Sequence, residues 1–243
     1  MFFKKGIVMK LLFFDLETTG FGFEKCALVQ IGGIIVELDS ENNLKPLDAI
    51  NLKMRPRTGK WIDQRSFAFT GFTIDELMTW QDDQIAFEKF TKFLGKHCNK
   101  FNKLDKITLV GYNSLHFDID FLRQWFIDNG DKFFGSWFWT NSIDVISEAS
   151  RYLVHYRPAL HNFKLGNVAK AMDIKVDETQ LHDGLYDIKL TYKIFEKILK
   201  SNNLIKPFNE QEAEEMYAQD LMEKAKEKFP EQKFTEENAW IQV

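Results

Sequence analysis

The chain has 243 residues, 44% of them hydrophobic and 15% aromatic, which suits one α/β domain with modest additions or two small domains. A formal net charge of −4 lacks the basic excess of a protein that coats nucleic acid, so any phosphate contact must come from a local Lys/Arg patch. Two cysteines, Cys26 and Cys98, stand without metal-type spacing; this argues against a disulfide framework and makes a reducing cytoplasm the expected location.

The opening MFFKKGIVMKLLFF sets basic residues before an apolar run, as a leader peptide does. Lys10 interrupts that run, Asp15 and Glu17 close it, and no small-residue cleavage site follows. Residues 10–16 therefore read as a strand buried on both faces. A second strand is expected over 27–38, where Gly32 and Gly33 mark a bulge or a close backbone approach, and a third over 49–55, stopped by Pro56. Short connections make these three an antiparallel meander. From Thr73 the period changes to helical, and Ile85, Phe87, Phe90, Phe93 and Leu94 outline the buried face of a longer helix. Strand returns at 107–112, and a helix over 117–129 is ended by Gly130. Further helices are expected near 143–154, 163–172 and 184–200. Three strands, a helical segment, a strand and more helices make an α/β mixed sheet flanked by helices. No stretch approaches the length of a membrane span.

Three clusters carry chemistry. In FFDLETTG, Asp15 and Glu17 stand two apart on a strand and so project from the same face. Two like charges side by side at the end of an apolar strand are costly unless a cation lies between them, and a hard, oxygen-seeking ion such as Mg²⁺ or Mn²⁺ is the natural partner. A strand fraying into a polar turn explains the pair as well. In GYNSLHFDIDFL, Asp118 opens an apolar helix, where a plain helix cap accounts for it equally, and Asn113 orients the loop before it. In LHDGLYDIKLTYKIF, His182 precedes a helix that carries Asp187 about one turn in, so both can face the sheet edge; a solvated loop is the plainer alternative.

Taken together, FDLETTG, N-x4-FD and H-x4-D, in that order, resemble the three motifs of the DEDDh-type, DnaQ-like 3′–5′ exonucleases. Residues 9–200 carry the resemblance, and GYNSLHFD with the Trp-rich stretch that follows is most similar to the exonuclease I branch. The resemblance implies a ribonuclease-H-like five-stranded mixed sheet. It implies two divalent ions (Mg²⁺ or Mn²⁺) roughly 3.5–4 Å apart, held by Asp15, Glu17, Asp118 and Asp187, with His182 as general base. Thr18, Phe21 and Asn113 become the substrate-contacting residues, Phe21 stacking on a terminal base. The implied partner is single-stranded nucleic acid, DNA before RNA.

On this reading residues 1–205 form the exonuclease domain and 206–243 a Glu-rich helical tail that either docks as one helix or projects into solvent, the solvated helix being the expectation, and that is the candidate contact for a protein partner. Members of the exonuclease I branch carry further C-terminal domains that this tail does not resemble. Two other readings compete. His182-Asp183 also matches the paired ligands of HD-type phosphohydrolases, but those are all-helical and this chain is strand-rich upstream. A non-catalytic nucleic-acid-binding module would keep the fold without the chemistry, whereas a proofreading subunit whose tail binds a polymerase would keep both.

Overall fold

A computed structural model describes residues 8–67, 70–160, 162–181, 183–201 and 209–228. β1 (Met9–Thr18), β2 (Leu28–Leu38) and β3 (Leu44–Lys53) pair antiparallel, as the short connections predict. β4 (Ile107–Gly111) and β5 (Ile143–Asp144) extend the sheet in parallel from the other side of β1, giving the order β3-β2-β1-β4-β5. This is the five-stranded mixed sheet that the family resemblance implies; the residue patterns themselves gave its first four strands.

β1 lies at the centre and is apolar on both faces. Leu12, Phe14 and Leu16 face one layer, built from α3 (Asp83–His97), α4 (Asp118–Asp128) and α5 (Phe134–Trp137). Leu11 and Phe13 face the other, built from α6 (Val145–Tyr152), α7 (Leu165–Ala171) and α8 (Gly184–Lys200). Because strand side chains alternate, Asp15 and Glu17 continue the Leu11–Phe13 row and emerge where the α8 layer ends. Two short helices, α1 (Gln64–Phe67) and α2 (Ile74–Met78), complete the segment after β3.

Several expectations shift in detail. β3 starts earlier than expected and includes Pro46, which an edge strand tolerates beside the irregularity at Ile35/Val36 because its missing N–H leaves no ladder bond unmade. Gly32 and Gly33 mark close approach rather than a bulge: a Cβ at Gly32 would come within 2.9 Å of Ile188 Cδ1, and one at Gly33 within 2.8 Å of Leu12 Cδ1. The bulge falls instead at Glu17/Thr18, beside the acidic pair. In α3, Ile85 is 48% exposed and Ala86 takes its buried position. The helix expected near 143–154 begins as β5, with Asp144 as the N-cap of α6.

The tail departs most. A solvated helix was expected; α9 (Glu210–Lys228) instead docks on the α6–α7 side, with Leu221 only 5% exposed and Met216 packed on that core. The Tyr156 hydroxyl donates to Glu212 at 3.0 Å, and Lys170 pairs with Glu223 at 3.0 Å. Two or three apolar side chains, too few to print a helical stripe, suffice because polar contacts flank them. The expected boundary between residues 205 and 206 lies outside the described residues.

Candidate active site

The parallel pairing of β1 with β4 brings the carboxyl ends of both strands to one edge of the sheet, the usual place for a site in an open α/β sheet. β1 delivers Asp15 and Glu17 there. β4 ends at Gly111, and the loop that follows folds back so tightly that a Cβ on Gly111 would collide with the Ser114 side chain. Asn113 supports that turn from the left-handed region, at φ 57°. The loop then opens α4 with Asp118, which is buried. Asp118 is the first helical residue and not the cap; the N-cap is Phe117, whose side chain makes no capping bond.

From the other layer, α8 brings Asp187. Asp183 caps this helix, accepting from the Tyr186 N–H at 2.9 Å. A Cβ on Gly184 would lie 3.4 Å from Asp15 Oδ2, which places the start of α8 directly against the first carboxylate. Asp183 is thus an exposed cap, and no helical HD-type framework surrounds it. His182 lies outside the described residues.

The electrostatics show that the four acids share one pocket. Burial holds the Asp15 carboxyl well above its ordinary range, reinforced by the charges of Asp118, Glu17 and Asp187. Burial and then Asp187 push Glu17 up to about 7, against the pull of Lys53. Lys53 lies over the rings of Phe72 and Trp80, 4.4 and 4.9 Å from their centres. Asp118 also rises to about 7, through burial first and the charges of Glu17 and Asp144 as well, with the Leu16 N–H among the bonds opposing the rise. Among the described residues, no three His, Cys, Asp or Glu side chains already form a closed coordination cluster. The donor set is nonetheless all carboxylate oxygen, with Asp15, Glu17 and Asp118 each made more basic by burial and by neighbouring acids. That chemistry fits hard divalent cations and disfavours soft ones.

The remaining expected residues divide. Phe21 is 72% exposed, its ring set edge-on 6.1 Å from Phe117, so it is an apolar surface beside the acids and not core. Thr18 is buried, and its hydroxyl donates inward to the Gly20 carbonyl at 2.8 Å, closing the turn that presents Phe21. Asn113 donates its backbone N–H to Asp144 Oδ1 at 2.7 Å and lines a large cleft with Asp187.

Asp144 was not anticipated. Its carboxylate also accepts from the Ile146 N–H at 3.2 Å and, more weakly, from the Leu115 N–H at 3.4 Å, so one buried side chain caps α6 and holds the loop leading to Asp118. An Asp between an apolar pair and an amphipathic run, as in SIDVISEA, was the available signal for the cap. Its grip on a loop some 30 residues away in sequence was not legible.

Comparison with known proteins now decides the family. A family profile described as Exonuclease (RNase_T) matches residues 12–195, about three quarters of the chain. The chain belongs to this exonuclease family. Ribonuclease T of Hahella chejuensis is 24% identical over 182 residues, covering 74% of this chain and 79% of that protein. The PolC-type DNA polymerase III of Mycoplasmopsis pulmonis is 25% identical over 210 residues, which are 84% of this chain but only 13% of the polymerase. The E. coli exonuclease I structure with a dT13 oligonucleotide superposes with a TM-score of 0.61 at 22% identity, over 79% of this chain and 41% of that one. The likeness to exonuclease I is one of fold. The exonuclease family uses divalent metal ions, in keeping with the carboxylate donors found here. Among the described residues, no helix is long and apolar enough to cross a membrane.

Proposed function

We propose that this exonuclease-family chain hydrolyses single-stranded DNA from the 3′ end and releases nucleoside 5′-monophosphates. The observation that carries the reading is the convergence of Asp15, Glu17, Asp118 and Asp187, from the end of one strand and the starts of two helices, on one pocket where the other three acids raise the proton affinity of Asp15 and Asp187 raises that of Glu17. These four would hold two divalent cations, Mg²⁺ or Mn²⁺. When bound, such ions offset the carboxylate charge and stabilise the charge that develops on a phosphate under attack.

The chain's own residues do the rest. His182, assigned by its place in the third motif, takes a proton from the attacking water; with a solution pKa near ~6.5 an imidazole is largely neutral in mildly alkaline solution. Phe21 offers an exposed ring to the terminal base, a contact that tolerates any sequence because every base has a π-face. Thr18 holds the Phe21 turn, and Asn113 shapes the approach to Asp118. The folds bound to oligonucleotides in the exonuclease I structures support a single strand as substrate.

A second reading keeps the chemistry and changes the sugar. The Ribonuclease T relative is covered over most of its length, which favours a 3′–5′ exoribonuclease on short RNA. Digestion of matched 5′-labelled DNA and RNA single strands, with Mg²⁺ or Mn²⁺ and with EDTA, tests both. Stepwise shortening from the 3′ end that needs metal and is lost in Asp15→Ala is the expected result, faster on DNA. Faster cleavage of RNA transfers the proposal to the second reading, and a folded protein that cuts neither overturns both.

A further inference from the structure

A cleft of about 1050 Å³ is lined by Asp187 of the acid pocket, by Asn113 and by Glu223, Lys224 and Lys226 of α9. That volume stands at the upper end of small-ligand pockets, which run to roughly 300–1,000 Å³. The lining also includes Tyr112 and Phe163, joined by a 2.6 Å hydrogen bond from the Tyr112 hydroxyl to the Phe163 carbonyl, with Arg157 over the Phe163 ring at 4.4 Å. Lys170 of α7 bridges Glu178 at 2.6 Å and Glu223 at 3.0 Å, so one cation offsets two acids of the lining and ties α9 to α7. Beyond that triad, the cations of the lining are Lys164, Lys224 and Lys226.

The composition of α9 now acquires a reason. Its acidic first half carries Glu212, which accepts from Tyr156 and is not part of the lining; its lysines come in the second half, where the helix borders the cleft. A net-acidic chain needs a local basic track to hold a polyanion. A positively charged groove with aromatic side chains is how proteins hold a single strand.

We propose that the cleft is the track for the single strand upstream of the scissile phosphate, with Lys164, Lys224 and Lys226 contacting successive backbone phosphates. This rests on the exonuclease reading and adds to it a role for the C-terminal helix in substrate grip. The strand enters between α7 and α9, and its 3′ end reaches the four carboxylates.

The test is binding of 5′-labelled oligothymidylates, three and fifteen nucleotides long, by fluorescence anisotropy in Mg²⁺. Phosphorothioate linkages at the 3′ end keep hydrolysis from competing. Lys224→Glu/Lys226→Glu is compared with wild type and with Lys228→Glu, which lies on the same helix outside the lining. The double variant should bind the fifteen-mer roughly tenfold more weakly or worse, with a salt slope smaller by about 1.4, two lost single-strand contacts at ~0.7 each. The trinucleotide should lose much less, and Lys228→Glu should match wild type. A thermal melt confirms that the variant is folded, and Lys164→Ala repeats the measurement from the opposite wall. Fifteen-mer affinity and slope equal to wild type would overturn the track, as would an equal loss on both lengths. If wild type digests DNA while the variants bind normally, only this inference falls; if wild type binds neither oligonucleotide, the exonuclease reading falls with it.

Discussion

At the scale of single residues, the site is defined by charge held where charge is costly. Asp15 is pressed on by three other carboxylates, so its replacement removes a donor that nothing else in the pocket supplies. Asp15→Asn and Asp187→Asn should each reduce turnover to background in the presence of Mg²⁺, with the fold intact by circular dichroism. His182→Ala should lower kcat by ~10²–10⁴-fold, the usual range for a general base, while oligonucleotide affinity changes little. Unchanged kcat in that variant removes His182 from the chemistry. Phe21 belongs to a different class: exposed and outside the acid cluster, it can act only through binding. Phe21→Ala should raise KM for short oligonucleotides by the equivalent of ~1–3 kcal/mol of lost stacking, with kcat little altered. An unaltered KM would leave the ring a surface residue without a substrate.

At the scale of elements, the loop between β4 and α4 is the feature on which Asp118 depends. It is held by a glycine that admits Ser114, by the left-handed turn at Asn113, and by the Asp144 carboxylate on the Asn113 and Leu115 N–H groups. β5 is only two residues long, yet it places Asp144 opposite Gly111 and so couples the start of α6 to the approach of α4. Removing a buried acceptor from several backbone donors costs about 1–3 kcal/mol. Asp144→Ala should therefore lower the melting temperature and reduce kcat together, whereas Asp144→Asn, which keeps one acceptor oxygen, should restore much of both. Loss of stability without loss of turnover would confine Asp144 to capping α6.

At the scale of the molecule, the pocket ties stability to pH and to metal. Glu17 and Asp118 sit near 7 in the folded, metal-free protein, above the ordinary values of 4.5 and 3.8. Between those limits the folded state holds protons that the unfolded chain has released, so stability from these groups is full below the unfolded values and declines as pH rises through about 7. Divalent cations compete with those protons for the same oxygens. Added Mg²⁺ should thus raise the melting temperature more in mildly alkaline buffer than in mildly acidic buffer, and Asp118→Asn should flatten both the decline and the metal effect. Melts at the two pH values, with Mg²⁺ and with EDTA, check this. A larger metal effect on the acidic side contradicts the shared-carboxylate pocket.

The sequence by itself determined four of the five strands, the order of the longer helices and the candidate acids. Continuous apolar runs, a change of period at Thr73 and three short motifs are local signals, and local signals survive without coordinates. Phe21 could be singled out from its place after the first motif, but only the structure shows it exposed instead of buried, because burial depends on what packs from elsewhere in the chain. The same holds for Thr18, whose hydroxyl turns inward, and for Asp144, whose partners lie some 30 residues upstream. α9 is the clearest case: its composition reads as a solvated helix, and it docks because Leu221, Tyr156 and Lys170 meet across a distance in sequence that no periodicity encodes. Helical and strand patterns record which face of an element is apolar; which element covers that face is a long-range choice, made only when the whole core closes.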